Sequence, residues 1–369
     1  MRAEALIDLS AIKHNVELLK AKSGTNLLAV VKADAYGHGL IPVAGAALKA
    51  GASYLGVALL EEAITLRQSG ISAPILAWLV QPGSDFAAAI ELDIELAVAS
   101  LLALEEVSAA SEKVGKRAKI HLEVDTGMSR GGFLDEWHSL TTEHLARVEV
   151  VGIFSHFARA DEPEQPENLA QLKRFEEMVA HLASLGHEKV IRHLSNSAAT
   201  LVNGAAAFDM VRAGIAMYGL TPDRENLGSS SSLKLRPAMQ LRAALYLVKD
   251  VAADSGVGYG ATERTSAQTK LGVITMGYAD GIPRIARTAG AWCNGARAPI
   301  IGRISMDQFV VDLGAQSPAK SGDWVVIFGN GSHGEYTADD WGASSQSINY
   351  EIVTRIGPRV PRIYAPHVY

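Results

Sequence analysis

Asn26-Leu27-Leu28-Ala29-Val30-Val31-Lys32-Ala33-Asp34-Ala35-Tyr36-Gly37-His38-Gly39 is the stretch whose reading decides the fold. Residues 26–31 are an apolar run of strand length, and they pass straight into a lysine and a polar turn punctuated by glycine. Seven more short β-rich runs follow, at 54–58, 74–79, 95–99, 119–125, 149–155, 189–194 and 210–212. Segments of helical period lie between them, for example at 39–50, 60–69, 101–114, 167–184 and 198–201. Eight parallel strands, each followed by a helix, close into a TIM-type (β/α)8 barrel, and roughly 200 residues is the span such a barrel needs. An open doubly wound sheet alternates in the same way, but the count of eight favours the barrel.

After Gly219 the texture changes. A polar stretch at 222–233 carries four consecutive serines at 229–232 and reads as a linker. Beyond it come apolar runs without long helices between them, at 238–251, 270–276, 298–304, 308–313 and 323–328, then one short helix at 345–354 and a Pro-rich extended tail. The fold class is therefore α/β: residues 1–232 are expected to form the barrel and residues 233–369 a mostly β C-terminal domain. The whole chain of 369 residues is long enough for two domains with sizeable cores. Its 48% hydrophobic and 20% charged content is ordinary globular usage, which excludes a disordered or fibrous chain. A net charge of -6 with no basic stripe argues against nucleic-acid binding. The single Cys293 forms no internal disulfide, and no Cys/His cluster has metal-ligand spacing. No secretion signal and no membrane span are read, so a soluble, cytoplasmic protein is expected.

Active-site groups of such barrels stand at the C-terminal ends of the strands and in the loops after them. Lys32 ends strand one. A lysine there is costly unless paired or covalently used, and a desolvated lysine has a lowered pKa and condenses with a carbonyl cofactor. Taken alone, Lys32 reads better as a side chain reaching the barrel rim than as a covalently used one. In strand five, Ile120, Leu122 and Val124 share one face while His121, Glu123 and Asp125 share the other, which should point into the barrel; the next loop delivers Arg130. Strand six ends at His156, strand seven at Asn196 and Ser197, and strand eight carries Arg212 before Gly214 and Ile215. Ser197 with the amides of Gly214 and Ile215 suits a phosphate. Each residue by itself has a structural reading, the lone histidine most of all. Together they favour a cofactor with a carbonyl and a phosphate tail, pyridoxal 5'-phosphate.

From Ala5 to Tyr364 these residues resemble the alanine racemase family. The Lys32 segment is similar to that family's cofactor-lysine signature. Further matches, in order, are Val124-Asp125-Thr126-Gly127-Met128, Ser155-His156-Phe157-Ala158, Ser195-Asn196-Ser197 and Val211-Arg212-Ala213-Gly214-Ile215. Later come Val257-Gly258-Tyr259-Gly260, Gly277-Tyr278-Ala279-Asp280-Gly281, Gly302-Arg303-Ile304-Ser305-Met306-Asp307-Gln308 and Asn349-Tyr350-Glu351. The lysine signature alone is shared with related barrel decarboxylases and cofactor carriers; the joint occurrence is specific.

The resemblance implies a homodimer with shared active sites that interconverts L- and D-alanine and supplies D-alanine for peptidoglycan. Lys32 would bind the cofactor covalently and serve as one base, and Tyr259 of the partner subunit would serve the opposite face. Arg212 would face the pyridine nitrogen, and Arg130 would contact the cofactor's phenolic oxygen and the substrate. Tyr36, Ser197, Gly214, Ile215 and Tyr350 would hold the phosphate, with Asn196 beside them. The Met306 amide would lie near the substrate carboxylate, and His156 would bridge Arg212 and Tyr259. Many members carry a carbamylated lysine at the position of Glu123, where it orients the arginine matching Arg130; a glutamate can accept the same charge-assisted bonds without carbon dioxide. The alternatives are a serine or broad-specificity racemase, since a methyl pocket rejects a hydroxyl only modestly, and a non-catalytic cofactor carrier, which needs no second domain. A decarboxylase would need a Cys/Asp acid pair, and Cys293 lies outside any matching motif.

Overall fold

The computed structural model describes residues 1–365; the last four residues of the expected second domain lie outside the described residues. The chain divides into two compact units. One comprises Ile12–Ala35 and Leu40–Leu235. Its strands, Asn26–Val30, Tyr54–Val57, Ile75–Ala77, Glu95–Val98, Ala118–Glu123, Val148–Phe154, Ile191–His193 and Met210–Ala213, pair in parallel in chain order. The first strand also pairs with the eighth, Asn26 opposite Met210. Between the seventh and eighth the ring is drawn together by Asp209 N–H to the Arg192 carbonyl (3.1 Å) and Arg212 N–H to the Ser195 carbonyl (2.9 Å). All eight expected runs are strands of this near-closed barrel. Their burial on both faces accounts for their near-continuous apolar sequence.

The helix Leu101–Val114 shows how local chemistry sets the elements around the ring. The Ser100 hydroxyl accepts from the Ala103 amide at its start, and Gly115 closes it in the left-handed region at φ 72°. Leu104, Val107, Ser108 and Ser111, at helical spacing, face inward. Burying a side chain such as Leu104 stabilises by about 1.5–3 kcal/mol. A helix absent from the sequence reading, Leu9–Ser23, precedes the first barrel strand. Its signal was present: the Asp8 carboxylate accepts from the amides of Ser10 (2.8 Å) and Ala11 (3.1 Å), and Ala11, Ile12, Val16 and Leu19 are buried.

The other unit comprises Met1–Ala11, Tyr36–Gly39 and the chain from Arg236 onward. Its spine is the 13-residue strand Met239–Val251. This strand pairs antiparallel with Ala3–Asp8, Thr269–Ile274 and Trp324–Phe328, and Ala3–Asp8 pairs in parallel with Arg362–Ala365. The assignment of the N-terminus to the barrel domain is therefore corrected. Ala3, Ala5 and Ile7 are fully buried at strand spacing, and the partners that cover them stand far along the chain. Two further expectations change. The strand expected at 298–304 is Ala296–Pro299, paired with Gly290–Cys293; after it, Gly302 adopts φ 78° and its amide donates to Glu263 Oε2 (2.8 Å), which ends the extended run. The helix expected at 345–354 is the shorter Asn349–Thr354, and an unexpected helix, Ala338–Ser344, precedes it. Thr337 caps Ala338–Ser344 by accepting from the Asp340 amide (3.1 Å), and Gln346 at φ 54° breaks the chain between them.

Candidate active site

The first barrel strand delivers Lys32 into a tight left-handed turn. Ala33, Asp34, Ala35 and Tyr36 have φ between 52° and 54°, a conformation that costs non-glycine residues roughly 1–2 kcal/mol each. Two carboxylates hold the turn: Glu62 accepts from the Ala33 amide (2.6 Å) and from the amides of Ala58 and Leu59 (both 3.1 Å), and Asp34 accepts from the Leu40 amide (2.8 Å). The Lys32 ammonium lies 5.8 Å from the centre of the Trp78 ring. Burial and then the Arg130 charge push its pKa down, against a smaller opposing pull from Glu62. Trp78 and Glu62 escaped the sequence reading: Trp78 follows the strand Ile75–Ala77 but reads as part of its apolar run, and Glu62 lies in the helix Leu60–Gln68.

Arg212 is buried in the eighth strand. Its Nη1–H donates to the His193 carbonyl (2.7 Å) and lies 3.3 Å from His193 Nδ1; its Nη2–H donates to the Ser155 carbonyl (2.6 Å) and lies 3.1 Å from His156 Nδ1. The Nε–H has no protein partner among the described residues. Burial lowers the arginine's pKa to about 10, with Glu123 pulling the other way, so it remains charged at neutral pH. His156 is held neutral: burial first, then the charges of Arg212, Arg130 and Lys32, take its pKa well below the usual imidazole value.

Glu123 does not clasp Arg130. Among the described residues no ion pair joins them; Arg130 is exposed, and Glu123 is half-buried. Burial raises the pKa of Glu123, and Arg212 opposes that more than Arg130 does. The expected charge-assisted pair is thus replaced by longer-range attraction. Asp125 shapes the intervening loop instead, accepting from the amides of Gly127 (2.8 Å), Met128 (3.0 Å) and Ser129 (3.1 Å).

Ser197 and the segment after the eighth strand do meet. The Ser197 hydroxyl accepts from the amides of Gly214 (2.9 Å) and Ala216 (3.3 Å), which leaves the Ile215 amide unpartnered among the described residues. Asn196 caps the helix Ser197–Val202 by accepting from the Ala199 amide (3.0 Å). With Lys32, Arg130 and Arg212 at the strand ends, these residues suit an anionic cofactor with a carbonyl to condense and a ring nitrogen for the free Nε–H.

In the other unit, Tyr36 and Tyr350 come together, ring centres 6.3 Å apart, and burial raises the Tyr36 pKa. Tyr259 begins a short turn between Gly258 (φ 70°) and Gly260 (φ 77°) and is 72% exposed. It lines an open recess of about 530 Å³ with Arg303, Ser305, Met306, Asp307 and Gln308. The carbonyls of Ser305 and Met306 accept from the amides of Tyr278 (3.1 Å) and Ala279 (3.0 Å), and a Cβ on Gly277 would come within 2.4 Å of both oxygens. Met306 is 53% exposed, and its own amide has no partner among the described residues.

Residues 7–222 match the family description "Alanine racemase, N-terminal domain", and residues 238–364 match "Alanine racemase, C-terminal domain". The chain is 48% identical to an alanine racemase of Beutenbergia cavernae, covering 98% of this chain and 97% of that one. It is 46% identical to a crystal structure of alanine racemase from D-cycloserine producing Streptomyces lavendulae, with a TM-score of 0.97 over 100% of this chain and 98% of the other. It is 36% identical to the alanine racemase of Bacillus anthracis with bound L-Ala-P, with a TM-score of 0.90 over 99% and 95%.

Proposed function

The chain belongs to the alanine racemase family, and on that premise we propose that it interconverts L- and D-alanine with pyridoxal 5'-phosphate bound at the barrel strand ends. The observation that carries this reading is the state of Arg212: buried, charged, bonded by the protein at both terminal nitrogens, and left with one free Nε–H. At neutral pH the Arg212 guanidinium keeps its protons. Set beside a pyridine nitrogen, Arg212 would donate its Nε–H as a hydrogen bond without giving up a proton. When bound, the cofactor supplies the electron sink for removal of the Cα proton.

Racemisation takes a proton from one face of Cα and returns one to the other, so one group per face suffices. Lys32, its pKa lowered by burial, moves the proton on one face. Tyr259 of the partner subunit serves the other in a homodimer with shared sites; a tyrosine 72% exposed between two glycines suits that role. Ser197 and the Ile215 amide, with Tyr36, Tyr350 and Gly214, hold the phosphate. Arg130 and the Met306 amide orient the substrate, and His156 links Arg212 to Tyr259 of the partner subunit. Under this reading the enzyme works in the cytoplasm and its D-alanine feeds peptidoglycan synthesis.

A chiral assay of the purified protein against L-alanine, L-serine and L-lysine, with an absorbance spectrum of the bound cofactor, tests the proposal. Alanine should turn over fastest. Faster serine turnover would assign a broad-specificity racemase, and a cofactor spectrum without racemisation would assign a carrier.

A further inference from the structure

The barrel interior behind Arg212 holds three ionisable side chains that the proposed chemistry does not use. Glu95 opens the fourth strand, His121 stands in the fifth and His193 ends the seventh; all three are buried. His121 Nε2 lies 2.8 Å from Glu95 Oε2, and His121 Nδ1 lies 2.8 Å from His193 Nε2. His193 Nδ1 in turn lies 3.3 Å from Arg212 Nη1. The two imidazoles meet across the sixth strand only because Gly152 stands there: a Cβ at that position would come within 2.2 Å of His121 Nδ1. Phe154 of the same strand stacks on His193, ring centres 5.0 Å apart and 13° from parallel, and lies 5.4 Å from the Arg212 guanidinium.

The ends of this chain set its direction. An arginine has donors and no acceptor, and a carboxylate has acceptors and no donor. Starting from Arg212, His193 must accept at Nδ1 and so carries its hydrogen on Nε2. His121 then accepts at Nδ1 and carries its hydrogen on Nε2, which donates to Glu95. Starting from Glu95 the same assignment results. We propose that Glu95, His121 and His193 are positioning residues for Arg212, a relay of neutral Nε2–H imidazoles that ties its buried guanidinium to a carboxylate three strands away from the histidine it touches. The role has a physical motive. Arg212 has no ion pair among the described residues and feels Glu123 only at longer range, and a buried charge without a contacting counter-charge is destabilising. A hydrogen-bond chain of one polarity carries the carboxylate's influence inward, because each bond polarises the next. Burial first, then the neighbouring His121 and Arg212, takes the pKa of His193 well below the usual imidazole value, which agrees with a neutral ring at His193. The consequence for catalysis rests on the reading of Arg212 as the group beside the cofactor's ring nitrogen.

The test begins with the cofactor-loaded wild-type protein labelled with 15N-histidine. Nitrogen–hydrogen correlation spectra should show His121 and His193 as neutral Nε2–H rings, with a scalar coupling across the bond from His193 Nε2 to His121 Nδ1. An imidazolium, or an Nδ1–H on either ring, overturns the relay. The second arm compares Glu95→Gln with Glu95→Asp. Glu95→Gln should lower kcat about tenfold, the low end of what groups behind an active-site residue contribute, with KM nearly unchanged and the cofactor's absorbance maximum displaced. Glu95→Asp, which keeps the charge, should retain more activity. A Glu95→Gln protein with lowered Tm but wild-type kcat and spectrum would make Glu95 merely structural and overturn the positioning role. If Glu95→Gln does not fold, the ring-nitrogen pattern of the wild type decides. Wild-type protein that shows the assigned tautomers but racemises nothing would sink the racemase reading alone.

Discussion

The barrel strand ends and the Tyr259 recess treat their polar groups in opposite ways. In the barrel, Arg212, His193 and His121 are buried and bonded to one another, and Asp125, Ser197 and Glu62 each hold two or more backbone amides. In the other unit, Tyr259 and Met306 stand 72% and 53% exposed, and among the described residues neither the Tyr259 hydroxyl nor the Met306 amide has a partner. A group held rigidly by its own chain is ready for chemistry without further assembly. The contrast supports dividing the proposed chemistry between subunits, with the barrel as the prearranged half.

The largest effect should come from the prearranged half. Lys32→Ala is expected to lower turnover by roughly 10³-fold, as loss of a proton-transfer group does. Borohydride reduction and peptide mapping of the wild type should place the cofactor label on Lys32, and a label elsewhere would break the comparison at its base. The exposed half should behave differently. Tyr259→Phe is expected to cost activity by about 10²-fold or more while leaving stability within about 0.5 kcal/mol, since its hydroxyl has no hydrogen-bond partner among the described residues of its own chain. Mixing Lys32→Ala with Tyr259→Phe protein should restore partial activity, because one site of each hybrid dimer has both native groups. Hybrids shown by tags to form yet remaining inactive would refute the shared site.

A smaller effect separates the halves by pH. The pKa of His193 in the folded protein lies well below its unfolded value, so its contribution is full above the unfolded pKa. As pH falls below about 6.5 the unfolded chain takes up a proton that the native ring refuses, and stability should fall by up to about 1.4 kcal/mol per pH unit from this residue. Melting curves between neutral and mildly acid pH should show that slope in the wild type and a shallower one in His193→Gln. The smallest effect concerns Glu123. With Arg130 exposed and in no ion pair among the described residues, Glu123→Gln should cost only a few-fold in turnover, less than loss of a buried pair. Wild-type activity should be the same in carbon dioxide-depleted and bicarbonate-supplemented buffer, whereas Glu123→Lys should gain activity with bicarbonate; a bicarbonate requirement in the wild type would refute this account of Glu123.

Much of this was legible along the chain, for reasons of range. A barrel strand announces itself within five or six residues by its apolar run, and Lys32, His156 and Arg212 stood out because each ends or follows such a run. The helix Leu9–Ser23 was equally local and its Asp8 cap could have revealed it; the Thr337 cap likewise marked the start of Ala338–Ser344. Other features had no local signal. Glu95 reads as the polar edge of an apolar strand, and Gly152 as a neutral residue in another.

By itself, then, the sequence determined the eight-strand repeat, the polar strand ends and the order of family motifs, since periodicity, turn chemistry and charge act over a few residues. Only the tertiary structure decided that Ala3–Asp8 pairs with Met239–Val251, that Glu123 and Arg130 stand apart, and that Glu95 reaches Arg212 through His121 and His193. Each of those depends on which strands become neighbours and how far two side chains can reach across them. Barrel closure and sheet register set that distance, and no window along the chain contains it.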